Sequence, residues 1–390
     1  GSAWSGPGCH LGCGVLLYTD KDDKLVKVEG DPLSPWANGK LCMRCLNLDE
    51  AVNDPTRVKY PMRRAGKRGE NKWERISWDE ALAEIKEKVT AIKEEYGTQA
   101  IVCVHGTGRN VNWQNPIIGH AALQTPNVCM LFFSGNACYT PRTVGAIAPI
   151  GDYILVDASQ GFEDRYANPD WRPPEVLVVW GNEPIASNAD GYMGHWLVNC
   201  VQMGTKIISI DPRLTWWGAR AEYFLQLRPG TDCALVMAFL HVIIEEDLYD
   251  HEFVDCWCAY FDELAETVKD ATPEWAAEIC WLDPEDIRGA ARLYASGNNS
   301  AIQWGLAMDQ QLSAMQLNLA VSDLIAICGN LDRPGGNTLA HDAFDCSADY
   351  DTCSQYLPPE TAAKRLNREY GLGMNGHDPI AGANADAVLH

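Results

Sequence analysis

The sequence predicts an α/β protein: a small β-rich module bearing cysteines, followed by two α/β layers. Three observations predict it. Continuous apolar strand-like runs alternate with helical segments along most of the chain. Each of those runs ends in a polar loop rich in glycine and proline, as in parallel sheets covered on both faces. Near the start, a hairpin pattern separates a Cys pair in "GCHLGCG" from a third Cys in "GKLCMRC".

The chain has 390 residues, too many for one ordinary core, so two or three domains are expected. Residues 1–62 read as the cysteine module. Within it, "GVLLYTDKDDKLVKVEGDP" alternates apolar residues (Val15, Leu17, Leu25, Val28) about an acidic turn. A hairpin there returns Cys42 toward Cys9 and Cys13. "KWERISWDEALAEIKEKVTAIKEEYG" then opens a helix, with Ser77 and Glu80 as a capping box and Gly97 as its end. Buried-strand runs follow at 100–106 and 128–133, then at 175–181 ("EVLVVWG") and 206–211 ("KIISID"). A long apolar helix occupies 232–249, and a further strand 300–305. One α/β layer is expected over 63–130 with a return at 335–390, the other over 131–334. Ligands of such sheets bind beyond the carboxyl ends of the strands.

Composition excludes several classes. A net charge of −22 argues against nucleic acid or an anionic membrane as partner. No apolar run approaches the ~20 residues of a membrane span. The 15 cysteines are scattered, many within apolar segments, which suits a reducing or anaerobic setting better than a disulfide framework. No signal peptide opens the sequence, so a cytoplasmic location is expected. A start trimmed at Gly1-Ser2 leaves open export as a folded protein behind a removed twin-arginine signal.

Cys9, Cys13 and Cys42 form the pattern by which a chain wraps an iron–sulfur cluster, since several thiolates must come from one tight loop. With Cys45 the spacing becomes C-x3-C…C-x2-C, which also suits a four-thiolate zinc site. The strand-end loops read "WGNEPIASN", "IDPRLTWWGAR", "LRPGTD" and "GNLDRPGGN". None is a GxGxxG or a phosphate-binding P-loop. Asp211, Arg213, Arg228 and Asp232 in them suit a polyanionic nucleotide: arginines for phosphates, aspartate for a guanine edge. Surface ion pairs are the alternative for any one of them.

Taken in order, "GCHLGCG", "VKVEGDPLSP", "GKLCMRC", "KWERISWDEAL", "IDPRLT", "LRPGTD" and "GNLDRPGGN" resemble the molybdopterin oxidoreductases of the DMSO reductase family. Within it, "RGENKWERISWDEAL" and "SGNACYTPR" look most like the catechol dehydroxylase and acetylene hydratase branches. The resemblance spans nearly this whole chain and the first half of a family member, so the family's carboxy-terminal β-barrel domain is expected to be absent here. It implies Rossmann-like layers, a molybdenum or tungsten ion held by two molybdopterin guanine dinucleotides, and a [4Fe–4S] cluster. It also implies a small organic substrate and an electron-transfer partner, either an iron–sulfur or a quinone-linked subunit.

Residue by residue, Cys9, Cys13 and Cys42 match three cluster ligands. The fourth position falls on Ser5 or Gly6, so the missing ligand precedes this start, or Cys45 or a non-cysteine group replaces it, or the cluster holds three irons. Arg44 matches the basic residue between cluster and pterin. Gly181, Asn182, Asp211, Arg213, Arg228, Gly230 and Asp232 match nucleotide-binding positions, while Glu183 stands where the family commonly has Asn. Cys138 falls in the metal-ligand slot, with Ser134 second to it. His10, beside Cys9, is a candidate proton donor. Tyr139, Arg142, His105 and Arg109 are further pocket candidates. The implied function is reductive dehydroxylation of a catechol-type substrate. A non-redox hydratase of the acetylene type and a non-catalytic metal-binding fragment are the alternatives.

Overall fold

The computed structural model describes residues 2–3, 12–34, 38–105, 114–130, 140–158, 169–186, 193–339 and 353–364. The chain divides into two compact units, Gly1–Ser134 with Asp345–His390, and Gly135–Phe344.

The first unit opens with an antiparallel sheet in which β1 (Ser2–Ala3) pairs with β2 (Cys13–Thr19), and β2 with β3 (Leu25–Gly30). The acidic turn is local chemistry: Asp20 Oδ1 accepts the N–H groups of Asp22 and Lys24 at 2.9 and 3.0 Å. Strand alternation turns Cys13 and Val15 inward, where Val28 of β3 meets them. The chain then folds back on the hairpin. The Asp31 N–H donates to the Gly14 carbonyl and the Gly39 N–H to the Asp31 carbonyl, both at 3.0 Å. A Cβ at position 30 would sit 2.2 Å from the Gly39 carbonyl oxygen, so only glycine permits the return. It delivers α1 (Met43–Leu46) and α2 (Leu48–Asn53) to the hairpin.

A second hairpin follows, β4 (Met62–Arg64) with β5 (Trp73–Arg75). α3 (Trp78–Tyr96) starts on the expected capping box, the Ser77 hydroxyl accepting from the Glu80 N–H at 3.1 Å and Glu80 Oε2 from the Ser77 N–H at 2.7 Å. Gly97, with φ +83°, follows its last turn. β6 (Val102–His105) then leads through α4 (Gln114–Pro116) and a π-helical turn over Ile117–Leu123 to β7 (Asn127–Met130), which lies parallel to β6.

The second unit begins with α5 (Thr140–Ile150) and β8 (Ile154–Val156). Its centre is a parallel sheet made of β9 (Val176–Trp180), β10 (Lys206–Ile210), β11 (Tyr223–Leu225) and β12 (Ser300–Trp304), in the order β11-β10-β9-β12. Every residue of β9 is buried. Val176, Val178 and Trp180 face one apolar cluster, Leu177 and Val179 the other, as a period of two requires. α6 (Met193–Gln202) covers the second face with Trp196, Leu197 and Cys200. The first face is covered by α7 (Asp232–Glu245), apolar nearly all round, with α10 (Pro273–Cys280), α11 (Pro284–Ser296) and α12 (Ala314–Ile327). α8 (His251–Trp257) and α9 (Phe261–Val268) lie between α7 and α10 in the chain.

Strands β9, β10 and β11 add outward in one direction and β12 returns to the other side of β9. The sheet therefore has a topological switch point at β9, the place where doubly wound sheets open a crevice. β13 (Asn337–Leu339) pairs antiparallel with β8. Asn337, fully buried, closes the outer edge of β12 with its side chain: Oδ1 accepts from the Ile302 N–H at 2.8 Å and Nδ2 donates to the Ile302 carbonyl at 3.2 Å. It satisfies two backbone groups as a neighbouring strand would. Asn337→Ala should therefore cost about 2–3 kcal/mol, because both groups stay buried without a partner. Urea unfolding measures this; a loss below about 0.5 kcal/mol would show that the edge is closed by something else.

Candidate cluster and nucleotide sites

Cys13, Cys42 and Cys45 are all buried in one small cluster with Val15, Val28 and Leu41. Their meeting follows from the glycine-permitted return of residues 31–42. Cys42 caps the amino end of α1, with Arg44 and Cys45 in its first turn. The Cys42 thiol is pulled down to about 4, first by the Cys45 thiol donating to it, then by the N–H groups of Cys45 and Arg44 and the Arg44 charge, against burial. A buried thiolate already surrounded by donors fits cluster ligation, since hydrogen bonds to sulfur and burial are what tune such centres. Among the described residues no group of three or more His, Cys, Asp or Glu side chains closes around a single metal ion. Cys9 and His10 lie outside the described residues.

The second site stands at the carboxyl ends of the parallel strands. Gly181, Asn182 and Glu183 follow β9, Asp211 and Arg213 follow β10, and Arg228, Gly230 and Asp232 follow β11. Asp211 is buried and accepts from the Arg213 N–H at 2.8 Å, and from its Nε and Nη2 at 3.1 and 3.3 Å. The carboxylate thus holds an otherwise exposed guanidinium at the sheet edge. Asp232, buried at the start of α7, accepts from Trp180 Nε1 at 2.8 Å and from Gln311 Nε2 at 3.2 Å. Burial pushes its carboxyl up, with the negative charge of Asp211 adding. Burial likewise raises Glu183, which feels both Arg213 and Asp211. Glu183, Asp211, Arg213 and Asp232 thus lie along one edge, where β9, β10 and β11 end.

The loops themselves are shaped for close approach. Gly181 and Gly230 have φ of +56° and +83°, and around a Cβ built at position 230 there is open space. The Arg228 N–H donates to the Cys280 carbonyl at 2.8 Å, and its guanidinium lies over Trp281, 5.0 Å from the ring centre. Backbone groups and cations at the strand ends fit a nucleotide phosphate, and buried carboxylates fit a guanine edge.

Arg142 lies in α5 with little exposure. Its Nη2 donates to Asp309, its N–H donates to the same carboxylate at 3.1 Å, and its Nη1 donates to the Trp304 carbonyl at 3.2 Å. This pairing ties α5 to the segment after β12. Cys138, Tyr139, Ser134 and Arg109 lie outside the described residues, and of His105 only the backbone is described. Trp180, Gln311 and Asp309 are parts of the site region that the sequence reading missed. Their roles depend on partners 52, 79 and 167 residues away, and no local signal marks them. Among the described residues no helix is long and apolar enough to cross a membrane.

Comparison with known proteins identifies the family. The profile "Molybdopterin oxidoreductase" matches residues 57–369, and "Molybdopterin oxidoreductase Fe4S4 domain" matches residues 7–54. The chain belongs to the molybdopterin oxidoreductase family. It is 31% identical over 366 residues to the probable dimethyl sulfoxide reductase chain YnfF of Escherichia coli, covering 86% of this chain and 44% of that protein. To the acetylene hydratase of Syntrophotalea acetylenica it is 31% identical over 331 residues, covering 83% and 42%. The solved acetylene hydratase from Pelobacter acetylenicus superposes with a TM-score of 0.73 at 27% identity, over 95% of this chain and 49% of that one. The chain thus spans about half the length of the relatives it matches. A molybdopterin and a 4Fe–4S cluster are the cofactors this family membership supports. Replacing Cys42 by Ala should strip most iron from anaerobically reconstituted protein, while Cys200→Ala, buried in α6, keeps it. Iron content per chain is the measurement, and equal loss from both variants would remove the cluster from this cysteine group.

Proposed function

We propose that this chain carries the cluster and nucleotide-binding part of a molybdenum- or tungsten-dependent oxidoreductase with two molybdopterin guanine dinucleotides. The observation that carries the reading is the set Glu183, Asp211, Arg213 and Asp232 gathered at the switch-point edge of a parallel sheet. When bound, the pterin-held metal supplies the two-electron centre. The protein's own residues bind and orient. Asp211 fixes the Arg213 guanidinium for a phosphate. Asp232, aligned by Trp180 and Gln311, offers its remaining lone pairs to guanine N–H groups. Arg228 and the open side of Gly230 admit a pyrophosphate. Arg44, beside the Cys42 thiolate, stabilises negative charge gained by the cluster.

Cys138 is the proposed protein ligand to the metal, its soft thiolate matching a soft-donor site. Tyr139 and His10 are the proposed proton-handling groups, and Arg142, paired with Asp309, holds α5 in place. The proposed reaction is reductive dehydroxylation of a catechol-type substrate: two electrons and two protons replace C–OH by C–H and release water. Electrons enter through the cluster from an iron–sulfur or quinone-linked partner. The location consistent with this chemistry is cytoplasmic, or exported as a folded protein. The likeness to acetylene hydratase supports a second reading, addition of water with no net electron transfer.

One experiment separates these readings. Full-length protein purified without oxygen should contain iron with molybdenum or tungsten, and should oxidise two equivalents of reduced viologen per catechol consumed. Cys138→Ala should abolish turnover while iron content stays. Hydration of an alkyne without dye oxidation would favour the second reading, and zinc as the only metal would overturn both.

A further inference from the structure

We propose that Trp281 is a positioning residue for the nucleotide: its indole ring holds the Arg228 guanidinium in place for the pyrophosphate of a bound guanine dinucleotide. The inference rests on the reading of the strand-end edge as a nucleotide site, and adds to it a residue from outside the strand-end loops.

Trp281 ends α10 with its backbone in the left-handed region, φ +62° and ψ +39°. Its N–H and that of Leu282 both return to the Ala277 carbonyl, the second at 3.2 Å. A helix end of this shape calls for glycine, because a Cβ there crowds the following carbonyl. Burial does not offset the strain, since Trp281 is 70% exposed. A bulky residue held in such a conformation points to a contact that depends on it. Tyr260, φ +62°, is the other aromatic residue with positive φ among the described residues, and no described cation lies over its ring. The ring of Trp281 carries Arg228, with the guanidinium 5.0 Å from its centre.

Three hydrogen bonds lock the end of α10 to the loop after β11. The Arg228 N–H donates to the Cys280 carbonyl at 2.8 Å, the Cys280 thiol to the Thr231 carbonyl at 3.5 Å, and the Thr231 hydroxyl to the Arg228 carbonyl at 2.6 Å. Ring and arginine are thus anchored to one another. Gln226 Nε2 donates to the Pro212 carbonyl at 3.0 Å and joins this loop to the one that bears Arg213. The two arginines of the edge are oriented by different means. Asp211 holds Arg213 through Nε and Nη2 and neutralises it. The Trp281 ring orients Arg228 through its negative face and cancels no charge. Among the described residues no carboxylate pairs with Arg228, so its full charge and its fork of donors stay available to a phosphate. Gly230, two residues on, leaves open space beside it.

The test uses the full-length holoprotein purified without oxygen. It reads the rate at which nucleotide, assayed as acid-released GMP, leaves the protein in concentrated salt. Trp281→Gly relieves the backbone strain and removes the ring. It should keep the wild-type iron content yet lose nucleotide about threefold faster, the worth of an exposed cation–π contact. Trp281→Phe should restore most of the wild-type rate. Tyr260→Gly relieves the same kind of strain and should leave the rate unchanged. In an Arg228→Ala background, Trp281→Gly should add no further loss, because the ring acts through that arginine. A wild-type release rate from Trp281→Gly overturns the inference, and so does additive loss in the Arg228→Ala background. Loss of iron in parallel with nucleotide would mark a structural role and overturn it as well. Wild-type protein that holds iron but yields no GMP overturns the nucleotide reading itself, and the inference with it.

Discussion

Burial of β9 on both faces is the constraint on which the rest of the second unit depends. Five consecutive buried residues leave that strand no solvent face. Helices must cover it on both sides, and the crossovers that bring them make the sheet parallel. A parallel sheet gathers all its carboxyl ends at one edge, and that edge is the only place where polar loops can meet. Gly181, Asp211 and the Arg228–Asp232 segment are neighbours for this reason, although they are spread over about fifty residues of sequence. The electrostatics follow from the same geometry. Glu183, Asp211 and Asp232 crowd one partly dry edge, so burial and mutual repulsion raise Glu183 and Asp232. An edge of that kind welcomes hydrogen-bond donors, which a guanine base presents, and cations, which Arg213 already supplies.

The cysteine site rests on a different constraint, a close backbone approach. Gly30 lets the Gly39 carbonyl pass where a side chain would stand, and Cys42 arrives beside Cys13 through that gap. Once there, Cys42 takes the amino end of a helical turn, where the Cys45 thiol first, and then the backbone N–H groups of Cys45 and Arg44, favour the thiolate over the thiol.

Much of this was legible in the sequence, for reasons of periodicity. The runs "EVLVVWG" and "KIISID" are apolar at every position or nearly so, and only a doubly covered strand reads that way. Ser77 and Glu80 are three residues apart, so their capping box is visible without a fold. The acidic turn between β2 and β3 is equally local. What stayed hidden is what long-range pairing decides. Asp309 meets Arg142 across 167 residues, and Asn337 closes β12 from 35 residues away, with nothing in either neighbourhood to announce it. Trp180 reads as one more apolar strand residue until its indole N–H is found on Asp232. Cys138 and Tyr139, which carry the chemistry of the proposed reaction, lie outside the described residues, so their roles rest on motif and not on geometry.

The central claim is that the strand-end edge holds guanine dinucleotides, and the nucleotide released from the purified full-length protein tests it most directly. Mild acid hydrolysis followed by chromatography should yield GMP, at two equivalents per chain. Replacing Asp211 by Ala should lower that yield. A different nucleotide, or no nucleotide from protein that retains its iron, would contradict the account.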